Sequence, residues 1–427
     1  MPGRTRNPTV LAAGSLTSGI LAYGFFAVST RALGAELAAP VSVLWTYWSF
    51  AAACLTFPLQ HWIARTVAAQ DGEGSVRAAM SRVVALIAVA SIGVGALSWL
   101  GREQLFHRDD IWFPVLVAVT TVGSGFIGVV RGGLAARHQF GSLAMTMVAD
   151  NGLRCASAVV LMIAGVDDSL AYGACLAFAG VVGLCWPQSF RFVRDDDEAS
   201  TESALRFIGG AAGGQLIGQA VLTGGPVALA LAGGAPADVT ALFAGLALFR
   251  APYTLAIGLV AALTGRLTKL VVTGQTAQLR KFRLGVLVGT AFTVVVAAVI
   301  GEAIGPWLLE LIFGGGVKLD NFACLLVAVG SAFALANLVV TVSIMALDRS
   351  GVIARSWIIA VVGGAIGYVV AGAETDALMQ VCWAFVTAEA LAFAVLAFEE
   401  HRGARALERG LSQPVSETAR HPRSSSA

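Results

Sequence analysis

The stretch Ser29-Thr-Arg-Ala-Leu-Gly-Ala-Glu-Leu-Ala-Ala-Pro40 interrupts a long apolar run. Thr9–Val28 precedes it and Val41–Leu59 follows, each close to the ~20 residues that let a helix cross a bilayer. Arg31, Glu36, Gly34 and Pro40 within the break read as a turn at a membrane surface, with Arg31 and Gly34 closing the first helix. The arrangement returns as Leu231-Ala-Gly-Gly-Ala-Pro-Ala-Asp-Val-Thr240, again between two apolar spans and again with Gly, Pro and one acid. The chain reads as two copies of one hairpin-led unit.

Composition sets the solvent. The 427 residues are 57% hydrophobic and 13% charged, with a mean hydropathy of +0.78. A soluble chain carries roughly 25% charged residues, so lipid is the natural surrounding for this one. A net charge of +2 gives no sign of nucleic acid. Lys269, Lys281 and Lys318 are the only lysines beside many arginines, a bias that fits a GC-rich bacterial genome. The six cysteines all fall in apolar spans with no Cys-x-x-Cys or Cys/His spacing, so they read as small buried apolar residues. No metal-ligand set, catalytic constellation or cofactor motif is present in the sequence. The first span has a basic flank and is too long for the core of a cleaved signal, so it reads as an uncleaved helix.

Twelve spans follow, near 9–30, 41–60, 83–101, 111–130, 142–165, 170–188, 207–231, 239–262, 284–305, 320–346, 356–372 and 378–398. Charge tests the count. With a cytoplasmic N-terminus, the outer segments hold only Arg31, Arg102, Arg108 and Lys318, and Arg154 and Arg250 lie within spans. Every other basic residue of the 28 falls on the inner side, and a missed or invented helix would scramble that alternation. The expected fold is an all-α polytopic membrane protein of twelve transmembrane helices in two six-helix lobes, with both termini cytoplasmic. The lobes are 1–190 and 207–398. A cytoplasmic linker, 191–206, carries Asp195-Asp-Asp-Glu198, and 399–427 is a polar, disordered cytoplasmic tail. Leu116-Val-Ala-Val119, Gly123-Ser124 and Gly141 recur as Leu326-Val-Ala-Val329, Gly330-Ser331 and Gly351. Six helices per copy give the copies the same orientation, with a cleft between them.

Arg31-Ala-Leu-Gly34 resembles the Ala-Arg-x-Leu-Gly signature of the polysaccharide flippases of the MOP superfamily, with Thr30 in place of the alanine. Arg131-Gly-Gly-Leu134 with Phe140-Gly141, and Gly305-Pro-Trp-Leu-Leu-Glu-Leu-Ile-Phe-Gly314, are similar to further stretches of that group. The resemblance implies a MATE-like fold and a flippase in the inner or plasma membrane. Its substrate would be a lipid-linked oligosaccharide of the polyprenyl-diphosphate type, moved for cell-envelope polysaccharide synthesis by alternating access. An ion gradient or the membrane potential would drive it, since the sequence has no ATP-binding motif. Membrane lipids, and glycosyltransferases or a polymerase of the same pathway, are the implied partners; an enzymatic activity is not implied.

Charges inside a bilayer cost a few kcal/mol each, so each calls for a reason. Asp150 and Arg154 share a helix face at i, i+4 with Thr146 and Ser157, near the middle of the fifth span. They read either as a guanidinium for phosphate held by its carboxylate, or as a self-neutralised packing pair. Arg250, near the middle of the eighth span, has no local acid and is the leading candidate for a diphosphate contact. Its alternative is an ion pair with Glu389 of the twelfth span, itself either that partner or a coupling-ion site. Gln215 and Gln219, and Asn337 with Thr341, are i, i+4 polar pairs for substrate contact or interhelical hydrogen bonds. Trp62, Trp112 and Trp186 read as interfacial anchors. Two readings compete with the flippase: an ion-coupled antiporter of drugs or small solutes on a MATE-like fold, and a non-transport scaffold of a glycan-assembly complex. A major-facilitator transporter would carry a Gly-x-x-x-Asp-Arg-x-Gly-Arg-Arg loop after the second helix, and Trp62–Arg82 does not contain it.

Overall fold

The structure is a computed structural model that describes residues 6–70, 73–193, 216–257, 260–347, 349, 351–372 and 375–412. The described residues form helices and no strands. Eight helices are long and apolar enough to cross a membrane, and Ser169–Cys185 and Pro236–Phe249 are shorter apolar helices.

Helix α1 (Arg6–Ala51) turns back on itself at Gly34, whose φ of 73° and ψ of 175° break the helical path. The proof is side-chain geometry. On a straight helix Phe25 and Trp45 would stand about 30 Å apart, yet their rings stack at 5.5 Å. The twelve-residue break therefore closes on a single residue, one that tolerates positive φ. After the turn the chain stays helical through a π segment, Ala52–Thr56, into α2 (Phe57–Gln70). The wide turn sits directly before Pro58, whose missing N–H and ring interrupt the normal ladder. Then come α3 (Gly74–Leu100), the short α4 (Arg102–Phe106), α5 (Trp112–Ala136), α6 (Phe140–Ile163) and α7 (Ser169–Phe178). Helix α7 runs out in 3-10 turns, Ala179–Cys185 and Pro187–Phe190.

The second half opens with α8 (216–223), a break at Gly224 and α9 (Gly225–Leu231). Gly233, at φ 81°, turns the chain into α10 (Pro236–Phe249), so both copies of the hairpin turn on a positive-φ glycine. Helices α11 (Ala251–Ile257), α12 (Val260–Val272), α13 (Thr276–Phe313), α14 (Asn321–Ala346), α15 (Gly351–Ala371) and α16 (Ala377–Ser412) complete the order. The repeated segment occupies equivalent places: Leu116–Val119 lies in α5 and Leu326–Val329 in α14, the two most buried long helices. Small residues let neighbours close in on both. A Cβ at Gly128 would stand 2.9 Å from the Thr56 Cα, and one at Gly301 of α13 would stand 2.7 Å from the Cys324 carbonyl of α14.

Burial shows how the halves meet. One large core joins Phe25, Phe26, Val41 and Leu44 of the first half to Leu229, Val239, Phe243 and Phe313 of the second. Toward the N-terminal end of α1 the cores separate. Leu59, Ile63, Val76 and Val83 form one cluster, while Ile344, Ala360, Ala392 and Leu396 form another. The halves are thus joined on the Gly34 side and apart on the other, where a cleft opens between them.

Three local expectations change. Trp62 is 5% exposed and packs in the inner core of the first half rather than anchoring at an interface; Trp112 is exposed. Cys185 is exposed, unlike Cys324 and Cys382. The polar tail starts as helix, because α16 continues to Ser412. Glu399 explains this, since it is buried and holds Arg349 at 3.1 Å and Arg355 at 2.6 Å across helix ends.

Candidate functional site

A cavity of about 340 Å³ lies between the halves. Its first-half wall comes from α1, α5 and α6, and its second-half wall from α8, α10 and α11. On the Gly34 side it ends on aromatic rings. Phe26 meets Phe243 at 4.4 Å between centroids and Phe313 at 5.4 Å, and Trp45 meets Phe243 at 5.9 Å. These rings come from both halves and exclude water. Beyond them Arg31 reaches across to α13, donating from Nε to the Ile312 carbonyl at 3.0 Å and from Nη2 to the Leu311 carbonyl. Those carbonyls are among the last of α13, which lack helical partners and attract a cation. The Arg31–Gly34 stretch and the Gly305–Gly314 stretch are therefore in contact. Thr240 Oγ1 donates to the Ala35 carbonyl at 2.6 Å beside them. The described hydrogen bonds between halves all lie at the level of Tyr23 or on its Gly34 side.

The cavity walls are charged. In α6, Asp150 holds Arg154 at 3.1 Å on the same helix and Arg131 of α5 at 3.3 Å. Arg154 Nη1 donates to Asn151 Oδ1 at 2.9 Å, and Asn151 Nδ2 donates to Ser18 Oγ at 2.8 Å. Ser18 in turn donates to the Met147 carbonyl at 2.9 Å, which ties α1 to α6. The Arg154 guanidinium also sits 4.4 Å from the Trp48 ring centre, a cation–π contact. Both Arg131 Nε and Arg154 Nε are buried without a hydrogen-bond partner. One carboxylate between two guanidiniums leaves the cluster cationic.

Arg250 stands on the opposite wall and ends α10. It is 9% exposed, with Nε donating to the Leu246 carbonyl at 2.8 Å and Nη1 to the Leu222 carbonyl at 2.7 Å. Nearby, Thr254 Oγ1 shares a 3.0 Å hydrogen bond with Tyr23 of the first half. Gln219 also lines the cavity, donating to Thr223 Oγ1 at 3.2 Å. Among the described residues the cavity thus carries three guanidiniums and one carboxylate. This excess favours an anion.

Asp150, Arg154, Gln219 and Arg250 line the same cavity. Glu389 and Asn337 do not join them. Glu389, 0% exposed, sits between α16 and α14, where Asn337 Nδ2 donates to its Oε2 at 2.7 Å and to its backbone carbonyl at 3.0 Å. Neither residue lines the cavity. No ion pair links Glu389 to Arg250 among the described residues; Arg250 is taken up by carbonyls instead. Gln215 lies outside the described residues, as does the linker from 194 onward. Arg131 is the residue the sequence reading misplaced. The fourth span was ended at 130, putting Arg131 in an inner loop, but α5 continues to Ala136 and buries it. The apolar Gly132-Gly-Leu-Ala-Ala136 that follows was the available signal.

No protein-family model and no curated protein matches the chain. Solved structures do. An inward-facing conformation of a multidrug resistance MATE family transporter of the MOP superfamily superposes with a TM-score of 0.70 at 15% identity, over 95% of this chain and 99% of that one. An outward-facing conformation of such a transporter gives 0.62 at 16% identity, over 94% and 95%. The lipid II flippase MurJ, inward closed, gives 0.60 at 11% identity, over 94% and 90%. The chain shares the MATE-like fold of these solved structures, built on helices long and apolar enough to cross a membrane.

Proposed function

We propose that this chain carries a lipid-linked oligosaccharide of the polyprenyl-diphosphate type across the cell membrane by alternating access. The observation that supports it most is the cavity's charge: Arg131 and Arg154 on one wall and Arg250 on the other, against Asp150 alone. A diphosphate matches that balance, and guanidinium forks bind phosphate oxygens at two points. In this reading Arg250, Arg154 and Arg131 hold the headgroup, Asp150 orients the two first-half arginines, and Gln219 is a polar contact. Asn337 moves from the substrate set to a supporting role for Glu389.

Twelve crossings are part of the proposal. The eight long helices give nine, since α1 and α2 together bend back once, and the interrupted segments 169–190, 216–231 and 236–272 supply three. The six-helix lobes 1–190 and 207–398, the 191–206 linker, and cytoplasmic termini follow from the repeat and the charge alternation. The open side of the cavity then faces the cytoplasm.

Glu389 gives the antiporter reading its one specific support. Its Oε1 and the Asn337 Oδ1 are both buried without a hydrogen-bond partner, and two such oxygens together would welcome a proton or small cation. The same pair serves a flippase equally well as its coupling site.

The test is headgroup accessibility in proteoliposomes loaded with a polyprenyl-diphosphate oligosaccharide. Wild type is expected to flip it, and Arg250→Ala and Arg154→Ala to lose at least about tenfold in rate, the size of one charge-assisted hydrogen bond. Flipping that survives both substitutions would remove the arginines from the site. Absence of flipping by wild type, with uptake of a cationic solute against an ion gradient, would replace the flippase with the antiporter.

A further inference from the structure

The second half crosses the membrane on interrupted helices, and one side chain spans both interruptions. In an α-helix the carbonyl of residue i accepts from the N–H of residue i+4. Position 226 is proline, so the Leu222 carbonyl has no such donor. The Gly224 N–H bonds the Ala220 carbonyl at 2.8 Å and α8 stops there. Arg250 Nη1 supplies the missing donor to Leu222 at 2.7 Å. At the second interruption Pro252 denies the Leu248 carbonyl its i+4 donor, and the Arg250 backbone N–H serves that carbonyl and Leu246 instead. Arg250 Nε adds a 2.8 Å bond to Leu246. The guanidinium that faces the cavity therefore also holds the ends of α8 and α10.

We propose that Arg250 is a positioning residue that turns occupancy of the cavity by an anion into a change of shape at the Gly224–Pro226 break. The proposal rests on the reading of the cavity as an anion site. A phosphate oxygen is a stronger acceptor than a neutral carbonyl. An anion that draws the guanidinium toward itself strips Leu222 of its side-chain donor, and α8 is then free to bend against α9. The arginines on the other wall have no such leverage. Arg131 and Arg154 are held by the side chains of Asp150 and Asn151, not by carbonyls at a helix break.

Hydrogen exchange of the full-length protein in lipid nanodiscs reads the break directly. Farnesyl diphosphate is the anionic probe and farnesol its uncharged control, with binding of radiolabelled farnesyl diphosphate measured on the same samples. In wild type the amides of 220–228 are expected to exchange about tenfold faster when farnesyl diphosphate is bound, the effect of losing one charge-assisted hydrogen bond, and not to respond to farnesol. Arg250→Ala is expected to show the fast exchange without ligand and no further change. Pro226→Ala is the decisive variant, because it restores a backbone N–H for Leu222. It should bind the probe and yet show slow exchange whether or not the probe is present, and it carries the test alone if Arg250→Ala fails to fold. Probe binding to wild type with unchanged exchange at 220–228 would overturn the proposal and leave the anion site standing. So would a wild-type response in Pro226→Ala. No probe binding to wild type would remove the anion site itself, and this proposal with it.

Discussion

The two halves bury their charges in opposite ways. In the first half Arg131, Asp150 and Arg154 form one connected group facing the cavity, extended by Asn151 and Ser18. Away from the Glu399 cluster at the helix ends, the second half keeps its buried charges apart. Arg250 faces the cavity but is held by backbone carbonyls, and Glu389 is shut between α14 and α16 with Asn337. The same repeated helical frame thus supports a rigid side-chain network on one side and a charge tied to helix breaks on the other. The lesson is that a buried ion's partners, more than its depth, decide whether it holds structure or is free to respond.

The comparison can be broken most sharply at Asp150. Replacing it with alanine leaves two buried guanidiniums facing each other, and an uncompensated buried charge costs about 3–5 kcal/mol. Thermal unfolding in detergent should show the protein strongly destabilised, whereas Glu389→Gln, which keeps an acceptor for Asn337, should cost about 1 kcal/mol or less. If the two rank the other way, the first-half cluster is not the connected unit described. Arg250→Ala comes next. It removes the buried charge together with its bonds to carbonyls, for a net cost of about 1.5–3 kcal/mol, and Arg250→Lys should recover only part of this because an ammonium lacks the fork that reaches both. Equal rescue by lysine would mean that charge alone matters there.

Arg31→Ala tests the seam between the halves with a smaller effect. Losing its bonds to Leu311 and Ile312 should raise the population open on the Gly34 side roughly tenfold, read as faster labelling of a cysteine placed at Gly316, whose Cβ would stand 3.7 Å from the Ala35 backbone nitrogen. Unchanged labelling would make the aromatic rings of Phe26, Phe243 and Phe313 the sole seal. Trp48→Leu is the mildest change. It removes the ring under Arg154, a contact worth about 0.5–2 kcal/mol, and should weaken binding of a diphosphate probe by less than about tenfold in a direct binding assay.

Much of the fold was legible because membrane crossing is a local property. Length, apolarity and the alternation of arginine along the chain fix where helices run, and Gly34 and Gly233 stand where the hairpins turn. The place of Asp150 and Arg154 inside α6, and of Arg250 at the end of α10, was legible for the same reason, since each falls well within an apolar run. Partnership was not. Whether Arg250 meets Glu389 or the Leu222 carbonyl depends on how two helices are rotated about their axes, and no local pattern encodes that. Pro226 was visible in the sequence, yet which side chain would serve the carbonyl it orphans emerges only when α8 and α10 are packed. Arg131 was lost through a boundary set a few residues early, an error that turns a buried cation into a loop residue.

The joined outer core has a mechanical consequence. Hinged at the Gly34 side and separate at the other, the halves resemble the arms of a pair of tongs, with Phe26, Phe243 and Phe313 at the fulcrum. An arm spanning a ~30 Å membrane core that swings by about 10° moves its far tip by roughly 5 Å. A displacement near the fulcrum too small to disturb packing there is therefore amplified into a gap as wide as a sugar ring at the opposite face.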